Sequence, residues 1–246
     1  MSDPVALNAE LAGLSPTSRL QRLRDAIPGR IVFTTSFGLE DQVLTHLIFS
    51  AGLDIDVVTL DTGRLFPETY DLWHQTELRY GKHIRAVYPE REALEALVSD
   101  QGIDGQYLSV ATRKACCGVR KVVPLRRALA GAAIWITGLR ASQSDNRSSL
   151  AFVAHDTGFR LLKANPLLDW SREAVADAAA TANVPVNPLH ARGFPSIGCA
   201  PCTRAVRAGE DERAGRWWWE QDRARECGLH VSSDGRLRRS TQGVHA

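Results

Sequence analysis

The chain predicts an α/β protein built on a doubly wound, mostly parallel sheet. Three observations carry that expectation. Short runs rich in β-branched and aromatic residues recur at 30–35, 56–60, 84–88 and 133–137. Segments with apolar residues at helical spacing separate them, and alternation of this kind packs as a parallel sheet between two layers of helices. Turn residues stand at the C-terminal ends of the strands, as in Ser36-Phe37-Gly38 and Asp61-Thr62-Gly63, on the edge where open parallel sheets bind ligands.

In order, residues 5–26 show helical spacing broken at Ser15-Pro16, which gives two short helices capping the sheet. The first strand, 30–35, runs into Ser36-Phe37-Gly38-Leu39-Glu40-Asp41 and then a helix over 42–49. A strand, a tight loop and a helix N-terminus turn backbone N–H groups and the positive end of a helix dipole toward an anion, most often a phosphate. Many ordinary βα turns also contain Ser and Gly, so this motif alone is weak. The second strand, 56–60, ends in Asp61-Thr62-Gly63-Arg64; a helix over 69–80, a strand over 84–88 and a helix over 90–99 follow. After a cysteine-bearing stretch, a basic helix is expected over 119–130 and a fourth strand over 133–137, ending in Gly138-Leu139-Arg140. Residues 152–154 and 161–163 read as short edge strands joined by Asp156-Thr157-Gly158. Ser171 is placed to cap a helix running to Ala182. A proline-punctuated loop over 185–195 delivers the second cysteine pair, and an Arg- and Trp-rich helix is expected over 211–225. The reading gives one domain over 1–230 and a polar, mobile tail over 231–246.

Composition narrows the function classes. The length, 246 residues, suits one domain with a large core, and hydrophobic and charged fractions of 44% and 24% are those of an ordinary soluble protein. A formal charge of +2 is too small to argue for a nucleic-acid partner. No apolar run is long enough for a bilayer, and the first residues lack the pattern of a secretory signal. The expectation is a cytoplasmic protein with no membrane partner, its thiols kept reduced.

Four of the five cysteines form two tight pairs, Cys116-Cys117 and Cys199-Ala200-Pro201-Cys202. Neighbouring helical residues point about 100° apart, so a vicinal pair grips one small ion poorly. An iron–sulfur cube offers each thiolate its own iron. Zinc, which more typically takes two Cys-x-x-Cys knuckles, and a redox or unpaired-thiol role stay open. Cys227 is left over and is the candidate nucleophile. His230, three residues on, is placed to tune that thiol or touch a ligand, if the segment is ordered. Lys121 follows Cys117 by four residues and on a helix would share its face, where it would relieve the charge of an anionic thiolate cluster; a solvated lysine is the plainer alternative. Arg213 and Arg216, one helical step apart, suit a fork for an anion, though exposed arginines are common.

Taken together, Ser36-Phe37-Gly38-Leu39-Glu40-Asp41, Leu60-Asp61-Thr62-Gly63, Cys116-Cys117 with Lys121, Thr137-Gly138-Leu139-Arg140, Cys199-Ala200-Pro201-Cys202, Arg213 with Arg216, and Glu226-Cys227-Gly228-Leu229-His230 resemble the assimilatory sulfonucleotide reductases, specifically the iron–sulfur adenosine 5′-phosphosulfate (APS) reductases. The resemblance spans about residues 31–230. It implies an adenine nucleotide alpha hydrolase-like fold of the PP-loop type with a modified phosphate loop, and a C-terminal catalytic tail. It implies one 4Fe-4S cluster on Cys116, Cys117, Cys199 and Cys202. It implies reduction of APS to sulfite and AMP in sulfate assimilation and cysteine biosynthesis, through a thiosulfonate on Cys227, with thioredoxin or glutaredoxin as reductant. Catalytic roles would fall to Cys227, His230 and Lys121, and substrate binding to Ser36, Phe37, Gly38, Thr62, Gly63, Arg140, Arg213 and Arg216. The 3′-phosphorylated substrate PAPS is the main competitor; an ATP-dependent adenylating or thiolating enzyme on the same fold would need the double-glycine pyrophosphatase loop that is absent here, and a non-catalytic metal-binding protein would leave Cys227 without a purpose. The oligomeric state, a homo-oligomer included, is left open.

Overall fold

The computed structural model describes residues 3–143, 147 and 150–220. Six strands, β1 (Arg30–Thr35), β2 (Asp56–Leu60), β3 (Arg85–Val87), β4 (Ala132–Ile136), β5 (Val153–Asp156) and β6 (Leu161–Ala164), lie in the order β3-β2-β1-β4-β6-β5. All neighbours are parallel except the β5/β6 hairpin. The chain winds outward from β1 through β2 to β3, then returns to the other side of β1 with β4. That reversal makes the C-terminal ends of β1 and β4 the topological switch point, where such sheets open a crevice.

Period-2 alternation decides what each strand faces. Ile31, Phe33, Ile134 and Ile136 enter one core with α2 (Pro16–Ala26), α3 (Leu39–Ser50) and α8 (Arg172–Thr181), whereas Val32, Val58 and Trp135 enter a second core with Leu125 and Ala128 of α7 (Val123–Ala128). Both faces are thus covered, which is why the strands read as nearly continuous apolar runs. The first two helices, α1 (Pro4–Leu11) and α2, separate at Ser15-Pro16 as expected, with Ser15 Oγ accepting from Ser18 N. Ser171 Oγ accepts from Ala174 N and opens α8. The remaining helices are α4 (Pro67–Tyr80), α5 (Arg91–Gln101) and α6 (Val110–Cys117). No helix among the described residues is long and apolar enough to cross a membrane.

Three expectations are corrected. The basic helix over 119–130 is not continuous: α6 ends at Cys117, a π turn spans Gly118–Val122, and α7 begins at Val123. Pro124 supplies the cause, because its ring cannot sit against the carbonyl four residues back, that of Arg120, and the ladder must widen there. β6 is not an edge strand, since it pairs with β4 on one side and β5 on the other. The stretch 211–220 is not helical. Arg204 N donates to Gly215 O (3.0 Å), Trp217 N donates to Cys202 O (3.2 Å), and Thr203 bridges Arg216. A Cβ at Gly215 would lie 2.2 Å from Arg204 O, so this close backbone approach needs glycine. Residues 221–225 of that expected helix, and the tail over 231–246, lie outside the described residues.

Candidate active site

The crevice at the switch point is the principal cleft. It opens to solvent at the C-terminal ends of the strands, the place where open α/β sheets bind nucleotides. Its walls come from Ser36 and Gly38 after β1, Thr62 after β2, Thr137 and Gly138 after β4, and Lys121, Cys199, Arg213 and Arg216 from the rest of the chain. The loop after β1 is held by its own helix. Ser36 N and Ser36 Oγ both donate to Asp41 Oδ2, at 2.6 and 2.7 Å, so two of the donors expected to face an anion are taken by a carboxylate in the first turn of α3. Burial pushes Asp41 up to about 6, against the pull of those Ser36 hydrogen bonds. Phe37 has φ 59 and donates its N–H to Thr35 Oγ1 (3.0 Å), and its ring stacks on Trp73 at 5.6 Å.

After β2, Asp61 Oδ1 accepts from Gly63 N (2.8 Å) and Tyr70 Oη (2.8 Å), which closes the turn that Gly63, with φ +69, permits. Thr62 Oγ1 lies 3.3 Å from Cys199 Sγ, and Ala200 N donates to Arg64 O (2.8 Å). The turn is thereby tied to the second cysteine pair.

Beside the cleft, Cys116, Cys117, Cys199 and Cys202 line one smaller cavity with Lys121 and Arg120. All four are free thiols, Cys116 half-buried and the others buried. α6 brings the first pair there: Ser109 and Thr112 form a reciprocal capping box, and the π turn after Cys117 carries Arg120 and Lys121 onto the same cavity. Burial opposes ionisation of Cys199, yet Lys121 and the Thr62 hydroxyl hold its thiol below the usual value. Burial, with Cys199 beside it, pushes Cys202 up to about 12. Among the described residues no group of three or more His, Cys, Asp or Glu side chains is arranged to hold a single metal ion.

Of the residues singled out from sequence, Ser36, Gly38, Thr62, Lys121, Arg213 and Arg216 meet in the cleft, and all four paired cysteines meet in the cavity. Lys121 and Cys199 belong to both and form the wall between them. Phe37, Gly63 and Arg140 do not line the cleft. Arg140 is buried behind it, its Nε donating to Glu40 Oε1 (2.7 Å) and its Nη2 to Glu212 at 3.3 Å. Cys227 and His230 lie outside the described residues. Sequence reasoning missed Arg147, Gln143 and Trp135 in the cleft and Arg120 in the cavity. Arg120 stands next to Lys121 in a basic run, where nothing but the fold distinguishes it from Lys114.

Comparison with known proteins agrees with this architecture. An adenosine 5′-phosphosulfate reductase of Agrobacterium fabrum is 54% identical over 231 residues, covering 94% of this chain and 88% of its own. Among solved structures, a phosphoadenylyl-sulfate (PAPS) reductase from Candida auris in a phosphate complex superposes with a TM-score of 0.71 at 27% identity, covering 84% of this chain and 98% of its own. Yeast FAD synthetase, at TM-score 0.54 and 16% identity over 83% of this chain and 69% of its own, shares the fold alone. The profile of the phosphoadenosine phosphosulfate reductase domain matches residues 30–205, a stretch that runs from β1 through the second cysteine pair, and the chain belongs to that family.

Proposed function

We propose that the protein reduces APS to sulfite and AMP. The observation that carries this reading is the wall made by Lys121 and Cys199, which puts a four-thiol cavity directly against the cation-lined cleft at the switch point. High identity to a relative named for APS, against 27% to one named for PAPS, favours the substrate without a 3′-phosphate. PAPS is the second reading.

Cys116, Cys117, Cys199 and Cys202 would hold a 4Fe-4S cluster. The donor set fits: four thiols face one cavity, and Arg120 Nε is buried there without a hydrogen-bond partner, as a donor awaiting an anionic group would be. When bound, the cluster supplies fixed negative charge beside Lys121. Arg213, Arg216 and Lys121 bind the anionic phosphosulfate and steady the departing phosphate. The Cys227 thiolate attacks the sulfonate sulfur; the S–S bond forms, the S–O bond to the phosphate breaks, and AMP leaves with the electron pair. His230 assists at this step. A protein dithiol of the thioredoxin or glutaredoxin kind then attacks Cys227 Sγ and expels sulfite. Its second thiol resolves the mixed disulfide, so the dithiol is oxidised by two electrons and Cys227 returns as thiolate. Anaerobic assay of sulfite release from APS and from PAPS, with thioredoxin, tests the reading: turnover of APS well above PAPS is expected, and release from neither contradicts it.

A further inference from the structure

Five of the eleven large apolar side chains exposed among the described residues lie together: Ile103, Tyr107, Leu108, Val110 and Trp218. Four come from a single stretch. The chain leaves α5, passes through a 3₁₀ turn at Gly105–Tyr107 and enters α6, and it turns so tightly that a Cβ on Gly105 would lie 2.5 Å from the Cβ of Gln101. Trp218 joins from the segment that follows the second cysteine pair, its ring 6.3 Å from that of Tyr107. The half-buried Trp219 meets the same tyrosine ring at 4.5 Å.

Polar contacts around the patch hold it rigid. Arg64 donates to Ile103 O and to Asp104 Oδ1 (2.9 Å), Gln106 Nε2 donates to Asp104 Oδ1 (3.1 Å), and Tyr107 Oη donates to Pro201 O. Arg113 fixes Glu220 through a two-pronged pair at 2.8 and 2.9 Å. Leu108, 73% exposed, and Ile103, 61% exposed, are thus held out in water, where apolar surface is unfavourable. A fixed apolar surface containing Tyr and Trp is one that a protein partner meets at low ordering cost.

Where the chain goes next says what the partner is. Cys227 follows Glu220 by seven positions, so its Cα stays within about 25 Å of Glu220, at the edge of the patch, whatever path joins them. The intervening Gln221-Asp222-Arg223-Ala224-Arg225-Glu226 contains no large apolar side chain and brings the patch no apolar cover of its own. Five side chains are few beside the roughly 20–30 residues a side of a stable interface, which suits a transient contact rather than a permanent one between subunits.

We propose that this patch docks the dithiol protein that releases sulfite from Cys227, a partner whose reactive cysteine is ringed by apolar surface. The inference rests on the reading above, in which one thiolate of the partner attacks Cys227 Sγ, sulfite leaves with the electron pair of the broken S–S bond, and the partner's second thiol resolves the mixed disulfide. Docking at the root of the Cys227 segment makes that attack a local one, because the short tether holds adduct and dithiol at a high effective concentration.

The test uses full-length anaerobic holoenzyme, with thioredoxin as the probe, and compares wild type with Leu108→Glu and Ile103→Glu, both of which change side chains that already face water. Three quantities are read: AMP released from APS in a single turnover without reductant, sulfite released from the isolated adduct by dithiothreitol, and the steady-state KM for thioredoxin. Each variant should raise that KM about tenfold or more, while the first two quantities stay within about twofold of wild type, because only the protein dithiol uses the patch. A thioredoxin KM unchanged in both variants overturns the proposal. So does a parallel fall in single-turnover AMP release, which would make the patch part of the chemistry. A wild-type oligomer that Leu108→Glu dissociates in sedimentation would assign the face to a second copy of the chain, against the proposal. If Leu108→Glu does not fold, as thermal unfolding shows, Leu108→Ser decides on the same readouts. Wild type that forms no adduct with APS contradicts the reading above and removes the proposal with it, whereas an adduct that thioredoxin clears equally well from variants and wild type overturns the docking surface alone.

Discussion

Asp41 is the residue whose environment is most at odds with its chemistry. It sits in the first turn of α3, where a carboxylate is favoured by the helix dipole and accepts two hydrogen bonds from Ser36, yet burial outweighs both and raises its pKa from 3.8 to about 6. Between those two values the folded chain binds more protons than the unfolded one, so stability from this group falls as pH rises and levels off above about 6. Asp41→Asn keeps an oxygen for Ser36 and removes the titration. We expect it to cancel about 2–3 kcal/mol of the loss between pH 4 and pH 7, measured by urea unfolding at both values; an unchanged pH slope would show that Asp41 is ionised throughout. At this scale the sequence was a partial guide. Ser36, Gly38 and Lys121 were legible because each lies in a short pattern next to a strand end or a cysteine, whereas Arg213 and Arg216 were singled out by a helical spacing and reach the cleft although no helix forms over 211–220. Arg147 and Arg120 were not, since an isolated arginine acquires a role only from what long-range packing sets opposite it. Phe37, chosen with its neighbours, turns its ring onto Trp73 because φ 59 reverses the chain at that point.

At the scale of elements, the loop carrying Cys199 and the segment carrying Arg216 are fitted around one glycine. A Cβ on Gly198 would lie 2.2 Å from Arg216 Nη2 and 2.6 Å from its Cζ, so Gly198→Ala must displace the guanidinium from the cleft. Loss of the charge-assisted substrate contact proposed for it should cost about 1.5–3 kcal/mol in kcat/KM for APS, and adding Arg216→Ala should worsen it little, since both changes would remove the same contact. Additive losses in this double-mutant cycle would separate the two residues. The same segment is tied to α6 by the Arg113–Glu220 pair, each side chain 4% exposed. Arg113→Met should destabilise the protein by about 3–5 kcal/mol, because it strands a buried carboxylate; thermal unfolding at neutral pH reads this directly, and a shift within error would mean that Glu220 finds another partner. The parallel strands were readable from their apolar runs, and α8 from its Ser171 cap. The helix expected over 211–225 failed over its described part because Gly215 and the pairing with 202–204 outweigh an Arg- and Trp-rich composition that favours no structure strongly. The helix expected over 119–130 forms as a π turn over Gly118–Val122 followed by α7, a widening that Pro124 signals in the sequence but the basic helical pattern around it masks.

At the scale of the molecule, a doubly wound sheet reverses its strand order between β1 and β4, and everything functional gathers at that reversal. Cysteines more than 80 positions apart in sequence reach one cavity because α6 and its π turn return the chain from β3 toward β4, while the loop after α8 crosses back to the turn after β2. The sequence pattern could name the two pairs; only the fold shows that Lys121 and Cys199 form a wall shared with the nucleotide cleft. The covalent step proposed above belongs to Cys227, 25 positions after Cys202. The most direct test is a single turnover without reductant: anaerobic enzyme is mixed with APS, AMP is quantified, and the digested protein is examined by mass spectrometry. At most one AMP per chain and a sulfonate on the peptide containing Cys227 are expected, the sulfonate released as sulfite when thioredoxin is added, with Cys227→Ser binding AMP normally and forming no adduct. A sulfonate on another cysteine, or sulfite production by Cys227→Ser, would contradict it.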